Sequence, residues 1–167
     1  MRFNAAALAA GVVSIAFVAA QTKKFEPGPP VPQPLPYSHK KHLSLGLKCN
    51  ECHRNEDPGE RMGIPSTSTC MACHKTVAAS KPAIQQLAKY HEERRDVPWE
   101  RIYRIPGYVF FSHRAHLEAK ATCADCHGEV AQREVLFLEK DVSMGACMNC
   151  HYERRAPNHC QFCHENR

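Results

Sequence analysis

The sequence predicts a chain that is mainly coil with a few short α-helices, packed around groups that are not protein. Ten cysteines occur in 167 residues, while seven Phe, five Tyr and one Trp supply few large side chains for a core. Chains with so little core material depend on disulfides, metals or cofactors for stability. The pattern of the cysteines decides between these stabilisers.

Residues 1–20 have the layout of a secretory signal peptide. One Arg precedes a charge-free, mostly apolar run of sixteen residues that ends at Ala20, and the small residues Val18 and Ala20 suit cleavage after Ala20. The alternative is an uncleaved anchor, for which a run of about 20 residues is needed and which Lys23 and Lys24 disfavour. We therefore expect a periplasmic or otherwise extracytoplasmic protein, with membrane association through the N-terminus as the alternative.

The next segment, residues 21–36, is predicted to be an extended arm. Six prolines lie within residues 26–36. Proline lacks an amide donor and favours the polyproline conformation. The segment should therefore act as a tether or a wrapping arm.

Every cysteine belongs to a Cys-x-x-Cys-His motif, of which the chain has five. The cysteine pairs are Cys49 with Cys52, Cys70 with Cys73, Cys123 with Cys126, Cys147 with Cys150, and Cys160 with Cys163, followed directly by His53, His74, His127, His151 and His164. Two thiols at this spacing reach both vinyl groups of one haem, and the adjacent imidazole binds its iron as the proximal ligand. The sequence therefore predicts five covalently attached c-type haems.

Zinc sites and disulfides explain this pattern less well. A zinc centre would need cysteine pairs to meet in fours and would leave the adjacent histidines without a role. A disulfide framework has the same weakness, and a redox-active dithiol would not recur five times. We expect no zinc, no disulfide and no free cysteine.

An internal repeat organises the chain. Residues 37–53 and 111–127 align without a gap at an offset of 74, and both contain Ser-His-x-x-His-Leu before the motif. The motifs that come next correspond at an offset of 77. The predicted division is a dihaem module over 37–79, a linker over 80–107 and a trihaem module over 108–167.

The linker region is predicted to contain one helix followed by an extended connector. The helix spans residues 80–95, with Ser80 as its N-cap and Pro82 in its first turn. Its apolar face is formed by Ile84, Leu87, Ala88 and His91. In the connector, alternation at Val109 and Phe111 predicts a short strand.

These motifs resemble the multihaem class III cytochromes c, which include small trihaem and tetrahaem periplasmic proteins. The stretches "FSHRAHLEAKATCADCHG", "SMGACMNCH" and "CQFCH" are similar to a trihaem member almost from end to end. The plan of the whole chain, with its linker, is also similar to the pentahaem subunit of alternative complex III, a quinol-oxidising respiratory complex. The resemblance implies a class III-like fold built around haems, and electron transfer as the activity.

The resemblance also implies the second axial ligand of four irons. In the family's pattern, the first histidine of His-x-x-His ligates the haem that directly follows, and the second ligates the next haem. The implied pairs are His39 with His53, His42 with His74, His113 with His127, and His116 with His151. The repeat agrees with this pattern, because each dihaem module has two spare histidines of its own. Met62 is a rival to His42.

The fifth iron, on His164, has several candidate distal ligands. Trihaem relatives carry a histidine four residues before the second motif, where this chain has Ser143 followed by Met144. A thioether ligand raises the potential of haem iron relative to a second imidazole. Met144 is the leading candidate, and the alternatives are His91, His159 or an open position.

Net charge does not indicate nucleic-acid binding. The chain has a formal charge of +5, which loss of residues 1–20 would reduce to +4. Ten ionised propionates on five haems would then bring the reduced protein to about −6. The basic sequence is therefore compatible with redox protein partners and does not imply nucleic acid.

Five irons in so short a chain predict an electron-transfer protein that is not itself an enzyme. Its expected partners are redox protein donors and acceptors. One alternative is a haem subunit of a quinol-oxidising membrane complex. A third hypothesis, a multihaem reductase, requires an iron with an open position, whereas enough candidate ligands exist here to fill all five.

Overall fold

The computed structural model describes residues 24–164, so the signal peptide predicted for residues 1–20 lies outside the described range. Within this range the chain consists of coil, one 3-10 turn (Val130–Gln132) and short helices, without a strand. The helices are α1 (His39–Ser44), α2 (Cys49–Cys52), α3 (Thr67–His74), α4 (Pro82–Glu92), α5 (His113–Glu118), α6 (Cys123–His127), α7 (Met144–Glu153) and α8 (Cys160–His164). The prediction of a mainly coil fold with short helices is confirmed. None of these helices has the length and apolar composition needed to cross a bilayer.

The two halves of the repeat begin their helices in the same way. Ser38 caps α1 and Ser112 caps α5, each accepting a hydrogen bond at its side chain from the amide three residues later. Ser66 and Ser143, related by the second offset, cap α3 and α7 in the same manner. Such caps satisfy amides that have no partner within the helix. The repeat thus extends from sequence to local geometry.

Left-handed residues also recur at corresponding places. After α1 the chain turns at Gly46 with φ +90°, and after α5 it turns at Lys120 with φ +63°. After α3 and α7 the corresponding residues are Ala78 and Arg155, with φ +55° and +53°. This backbone region suits glycine best. Three of these four turns therefore use a residue that does not signal a left-handed turn in sequence.

The proline-rich arm lies along the second half of the chain. The amides of Gly28 and Val31 donate to the carbonyls of Leu138 and Leu136, at 2.9 and 3.2 Å. Because proline has no amide hydrogen, the intervening residues cannot extend this pairing into a regular ladder. The arm is therefore held by isolated hydrogen bonds.

A small apolar core joins the arm to the linker. Leu35 of the arm, Leu87 of α4 and Val97 of the connector are 5–6% exposed, and Met71 and Trp99 pack against them. Burial of each such aliphatic side chain contributes roughly 1.5–3 kcal/mol. The cluster lies beside the second haem motif, since a cysteine of that motif also contacts it.

Two details of the predicted linker are wrong. Helix α4 begins at Pro82, and its N-cap is Lys81, which makes no side-chain capping bond, not Ser80. A residue before proline is disfavoured in the helical region, so the helix cannot extend back past Lys81. The strand at Val109 is absent from the described chain, because the Val109 amide closes a turn onto Pro106 and the Phe110 amide donates to the carbonyl of Cys163.

Candidate haem-binding sites

Each Cys-x-x-Cys-His motif is carried by a short helix, namely α2, α3, α6, α7 and α8. Residues three apart on a helix share a face, so the two cysteines of each motif project from the same side. All ten cysteines are free of disulfide bonds. The local structure therefore presents each pair of thiols together.

The polypeptide covers the ten cysteines unequally. Four are half-buried, and the other six are exposed, namely Cys49, Cys73, Cys123, Cys147, Cys150 and Cys160. The physical reason is the scarcity of large side chains that could cover them. Haem attachment through all ten cysteines, which would leave no free thiol, stays a prediction.

Four of the motif histidines each face a histidine from one of the two His-x-x-His segments. The ring centroids are 6.3 Å apart for His39 and His53, 6.0 Å for His42 and His74, 6.4 Å for His113 and His127, and 5.9 Å for His116 and His151. One metal ion bound by both Nε2 atoms at about 2 Å would separate the centroids by roughly 6 Å. The residues therefore fit a haem iron between two imidazoles. These pairs coincide with those that the family resemblance implies, and ligation itself stays a prediction.

Hydrogen bonds to the main chain orient most of these rings. Seven histidines have Nδ1 within 2.7–3.4 Å of a backbone carbonyl, namely His42, His53, His74, His113, His116, His151 and His164. A carbonyl only accepts, so Nδ1 must carry the hydrogen and Nε2 keeps a free lone pair. This is the arrangement by which proteins prepare histidine to bind a metal.

An aromatic ring supports each His-x-x-His segment. Tyr37 stacks on His42 at 4.4 Å between centroids and meets His39 edge-on at 4.7 Å. Phe111 makes the corresponding contacts in the second half, at 4.5 and 4.7 Å. Burial raises the pKa of Tyr37 to about 12, so its hydroxyl stays neutral. These rings hold the two imidazoles of each segment in different orientations, as two separate irons require.

Burial keeps two of the facing imidazoles, those of His39 and His127, neutral. It lowers the pKa of His39 to about 4, an effect that the charges of His53 and His42 reinforce. Burial also lowers the pKa of His127, again with contributions from His113 and His53. Only neutral imidazole binds a metal, so these environments favour the ligand form.

Neighbouring cysteines connect the first three motifs into a series. Burial raises the pKa of Cys70, and the charge of the nearby Cys52 adds to this effect, which joins the second motif to the first. Burial likewise raises the pKa of Cys52, with a smaller contribution from Cys73 of the second motif. Burial raises the pKa of Cys123, and the nearby Cys49 adds to this effect, which joins the first motif to the third.

Neighbouring cysteines also connect the third motif to the fourth and the fourth motif to the fifth. Burial raises the pKa of Cys126, and the nearby Cys150 adds to the shift, which joins the third motif to the fourth. Burial also raises the pKa of Cys147, to which the charges of Cys126 and Cys163 contribute, so the fourth motif lies beside the fifth. The spatial order is therefore second, first, third, fourth, fifth.

The fifth motif has a different neighbour. The ring of His164 lies 6.0 Å from that of Tyr108, whose carbonyl is 3.4 Å from Nδ1. Met144 begins α7 and is 66% exposed. His91 lines a polar pocket of about 170 Å³, and the ring of His159 lies beside that of an aromatic residue of α8. The distal ligand of this iron thus stays a prediction.

Tyr103 is a site residue that sequence reasoning missed. Its hydroxyl accepts hydrogen bonds from the amides of Glu139 and Lys140 and donates to the carbonyl of His127 at 3.2 Å. Its ring meets the imidazole of His127 edge-on, with centroids 4.5 Å apart. A single tyrosine in a linker follows no recognisable pattern, so only the fold identifies it as a support for the motif histidine His127.

Comparison with known proteins agrees with this geometry. Residues 41–128 match the family described as cytochrome c3, and residues 109–165 match the family described as cytochrome c7 and related cytochrome c. The chain is also 33% identical over 146 residues to the multiheme cytochrome c subunit of menaquinone reductase from Nitratidesulfovibrio vulgaris, which covers 80% of this chain and 68% of that protein. The chain therefore belongs to the multihaem cytochromes c of the c3 and c7 families and is an electron-transfer protein.

Proposed function

We propose that this cytochrome holds five c-type haems in one line, four of them bound by two histidines each, and conducts electrons from one end of the line to the other. The observation that carries the proposal is the set of four facing imidazole pairs with centroids 5.9–6.4 Å apart. When bound, haem c supplies one-electron redox chemistry. The chain's own residues orient the ligands, keep them neutral and place adjacent motifs side by side.

The order of the motifs gives the line two ends. The second motif, on α3, is one end, and the fifth, on α8, is the other, with the neighbouring Cys49 and Cys123 at the junction of the two halves. Each half of the repeat therefore contributes the haems on one side of this junction. In this arrangement an electron that enters at α3 passes through the first and third motifs before it reaches α7 and α8.

Met144 is the proposed distal ligand of the fifth iron. It lies three residues before Cys147 on α7 and so shares its face. Cys147 in turn lies close to Cys163 of the fifth motif. A side chain that is 66% exposed is also not acting as a gap-filler in a protein core. Replacement Met144→His should lower the potential of one centre, whereas unchanged potentials would exclude Met144 as a ligand.

We further propose that the chain works outside the cytoplasm as the haem subunit of a membrane complex that exchanges electrons with menaquinone. The similarity to a menaquinone reductase subunit over 80% of the chain supports this candidate over a freely diffusing carrier. The partner would carry out the quinone chemistry, releasing or taking up two electrons and two protons per quinone. The cytochrome would carry those electrons one at a time.

Three measurements test these proposals. Mass spectrometry of the mature holoprotein should give the mass of five haems, and electron paramagnetic resonance should show low-spin ferric centres only. Affinity purification from membranes should recover integral membrane subunits together with the haem-containing chain. Fewer than five haems, or a high-spin centre, would contradict the linear arrangement of six-coordinate irons. Recovery of the chain alone from the soluble fraction would instead support a diffusing carrier.

A further inference from the structure

The two halves of the repeat dock on each other reciprocally. The amide of Lys40 at the start of α1 donates to the carbonyl of Arg133 at 3.0 Å. The amide of Arg114 at the start of α5 donates to the carbonyl of Gly59, also at 3.0 Å. The two donors, Lys40 and Arg114, are related by the offset of 74, and so are the two acceptors, Gly59 and Arg133. Each half therefore uses the loop after its own first motif to hold the His-x-x-His helix of the other half. The junction is therefore close to two-fold symmetric.

The two central imidazole pairs are also nearly identical. His39 and His53 lie 6.3 Å apart with their ring planes at 9°, and His113 and His127 lie 6.4 Å apart, also at 9°. An aromatic ring, Tyr37 in one half and its counterpart in the other, meets each distal ring edge-on at the same distance of 4.7 Å. Ring spacing and the aromatic contact at the distal ring therefore do not distinguish the two sites, whereas Tyr103 contacts the proximal ring of the second site.

A hydrogen bond distinguishes the two distal ligands. His113 Nδ1 lies 2.8 Å from the carbonyl of Glu60, to which it donates. The corresponding atom, His39 Nδ1, is buried and has no hydrogen-bond partner among the described residues. The distal ligand of one central site is thus anchored to the main chain, while its counterpart is not.

The proximal ligands differ in the opposite sense. His53 Nδ1 donates to the carbonyl of Gly63 at 2.8 Å, whereas His127 has no such bond within the described chain. Each central site therefore has one imidazole anchored to the main chain, and only in the site of His127 is it the distal one.

The backbone explains the difference between the distal ligands. Gly59 has φ +90°, which lets the chain turn so that the carbonyls of Gly59 and Glu60 both accept from the start of α5. Arg133 occupies the corresponding position with φ −102° and ψ 128°, an extended conformation. Its loop offers the carbonyl of Arg133 to α1, and the next carbonyl does not reach His39. A glycine in one loop therefore creates the extra acceptor.

From this geometry we propose that Gly59 and the Glu60 carbonyl lower the potential of the site of His127 and His113, because they anchor its distal imidazole to the main chain. This inference rests on the proposed ligation by two histidines. Donation from Nδ1 makes an imidazole a stronger ligand, and a stronger donor favours ferric iron and lowers its potential. Glu60 thus acts as a positioning residue through its main chain.

The variant Gly59→Ala tests this inference. A Cβ at this position would lie 2.7 Å from both Cβ and Nε of Arg114, and the φ of +90° disfavours any side chain. The loop must therefore move, which should break the bond between Glu60 and His113. In a redox titration of the holoprotein followed by NMR of assigned haem methyl groups, the site of His127 should shift to higher potential while the site of His53 stays in place.

Gly46→Ala is the matched control. Gly46 has the same φ of +90°, and a Cβ there would meet nothing within 4 Å. This variant should introduce comparable backbone strain without shifting the site of His127. Equal shifts in the two variants, or no shift in Gly59→Ala, would overturn the inference.

The wild-type protein decides the question if Gly59→Ala does not fold. In NMR spectra of the reduced protein the Nδ1 proton of His113 should exchange slowly with solvent, as a hydrogen-bonded proton does, and a rapidly exchanging proton would overturn the inference. Both sites should also give low-spin spectra typical of two histidine ligands. A high-spin signal at either site would contradict the proposed ligation itself, which separates the two failures.

Discussion

Individual histidines in this cytochrome are distinguished by what their Nδ1 atoms contact. The motif and His-x-x-His residues are visible in the sequence, but the carbonyl that each ring contacts is not. His53, for example, contacts the carbonyl of Gly63, ten residues away, and His113 contacts that of Glu60, 53 residues away. Long-range contacts of this kind depend on how loops dock, which residue patterns do not encode.

Replacement His116→Met should raise the potential of a single haem. His116 faces His151 at 5.9 Å, and a thioether in place of an imidazole favours ferrous iron. The upward shift should lie within the span of roughly 0.8 V that axial ligands cover. An optical redox titration measures it, with His91→Met as the control that should leave the four facing pairs unchanged. A His116→Met titration identical to wild type would show that His116 is not a ligand.

Glu139 is predicted to make stability depend on pH in the acid range. Hydrogen bonds from Arg133, at 2.9 Å, and from the amide of Glu129 lower the pKa of Glu139 from 4.5 to about 2. Its contribution is therefore complete above pH 4.5 and is lost as the pH falls towards 2. Glu139→Gln should be less stable than wild type at about pH 6, and the difference should vanish near pH 2.

Urea denaturation of the holoprotein across this pH range provides the measurement. Glu134→Gln is a suitable control, because Glu134 forms a half-exposed ion pair with Lys41 at 3.8 Å and such pairs contribute little. A difference between wild type and Glu139→Gln that stays constant across the acid range would contradict the role of this carboxylate.

At the scale of elements, the repeat is the feature that sequence and structure share most fully. The serine caps of α1 and α5 lie within the aligned stretch, so the pattern alone predicts corresponding helix starts. The turns that end the helices are less predictable from the sequence. The turns after α5, α3 and α7 use Lys120, Ala78 and Arg155, which are residue types that do not mark a left-handed turn in a sequence.

Lys120→Gly should stabilise the protein by about 0.5–1 kcal/mol. Lys120 has φ +63°, where a side chain is strained and glycine is not. The corresponding residue after α1 is already Gly46, so Gly46→Ala should have the opposite effect. Urea denaturation at neutral pH measures both. Destabilisation by Lys120→Gly would mean that the lysine side chain makes a larger contribution than the backbone strain it causes.

Helix α4 shows where local patterns mislead. Serine is a good capping residue, and Ser80 precedes an apolar face that includes the buried Leu87, so the pattern favours a cap there. Pro82 nevertheless sets the start of the helix, and the cap falls on Lys81. Likewise, the alternation around Val109 has no neighbouring strand to pair with within the described chain, since the amide that follows it bonds to α8.

At the scale of the whole molecule, a few distant contacts hold the arm and the linker together. Besides the buried Leu35, the side chain of Gln33 exchanges two hydrogen bonds with the backbone of Glu100, at 3.0 and 3.1 Å. Tyr37, which follows the arm, lies 6.1 Å from Trp99 between ring centroids. The arm therefore connects the first His-x-x-His segment to the linker.

Leu35→Ala should destabilise the holoprotein by roughly 2–4 kcal/mol. Leu35 is 6% exposed and packs with Leu87 and Val97, so truncation leaves a cavity. Leu45→Ala is the control, because Leu45 is 78% exposed and its loss should change stability by less than about 0.5 kcal/mol. Urea denaturation followed by circular dichroism compares them. Equal effects of the two substitutions would show that the cluster does not act as a core.

The sequence by itself determined the family, the c-type haem chemistry and the repeated local geometry, because attachment motifs and helix caps depend on residues a few positions apart. The resemblance carried by the motifs also implied which imidazoles face each other. The tertiary structure alone decided the order of the motifs, through the proximity of Cys49 and Cys123, and the unequal surroundings of His39 and His113. These features arise from docking between segments distant in the chain, where a single backbone angle at Gly59 determines which carbonyl reaches which ring.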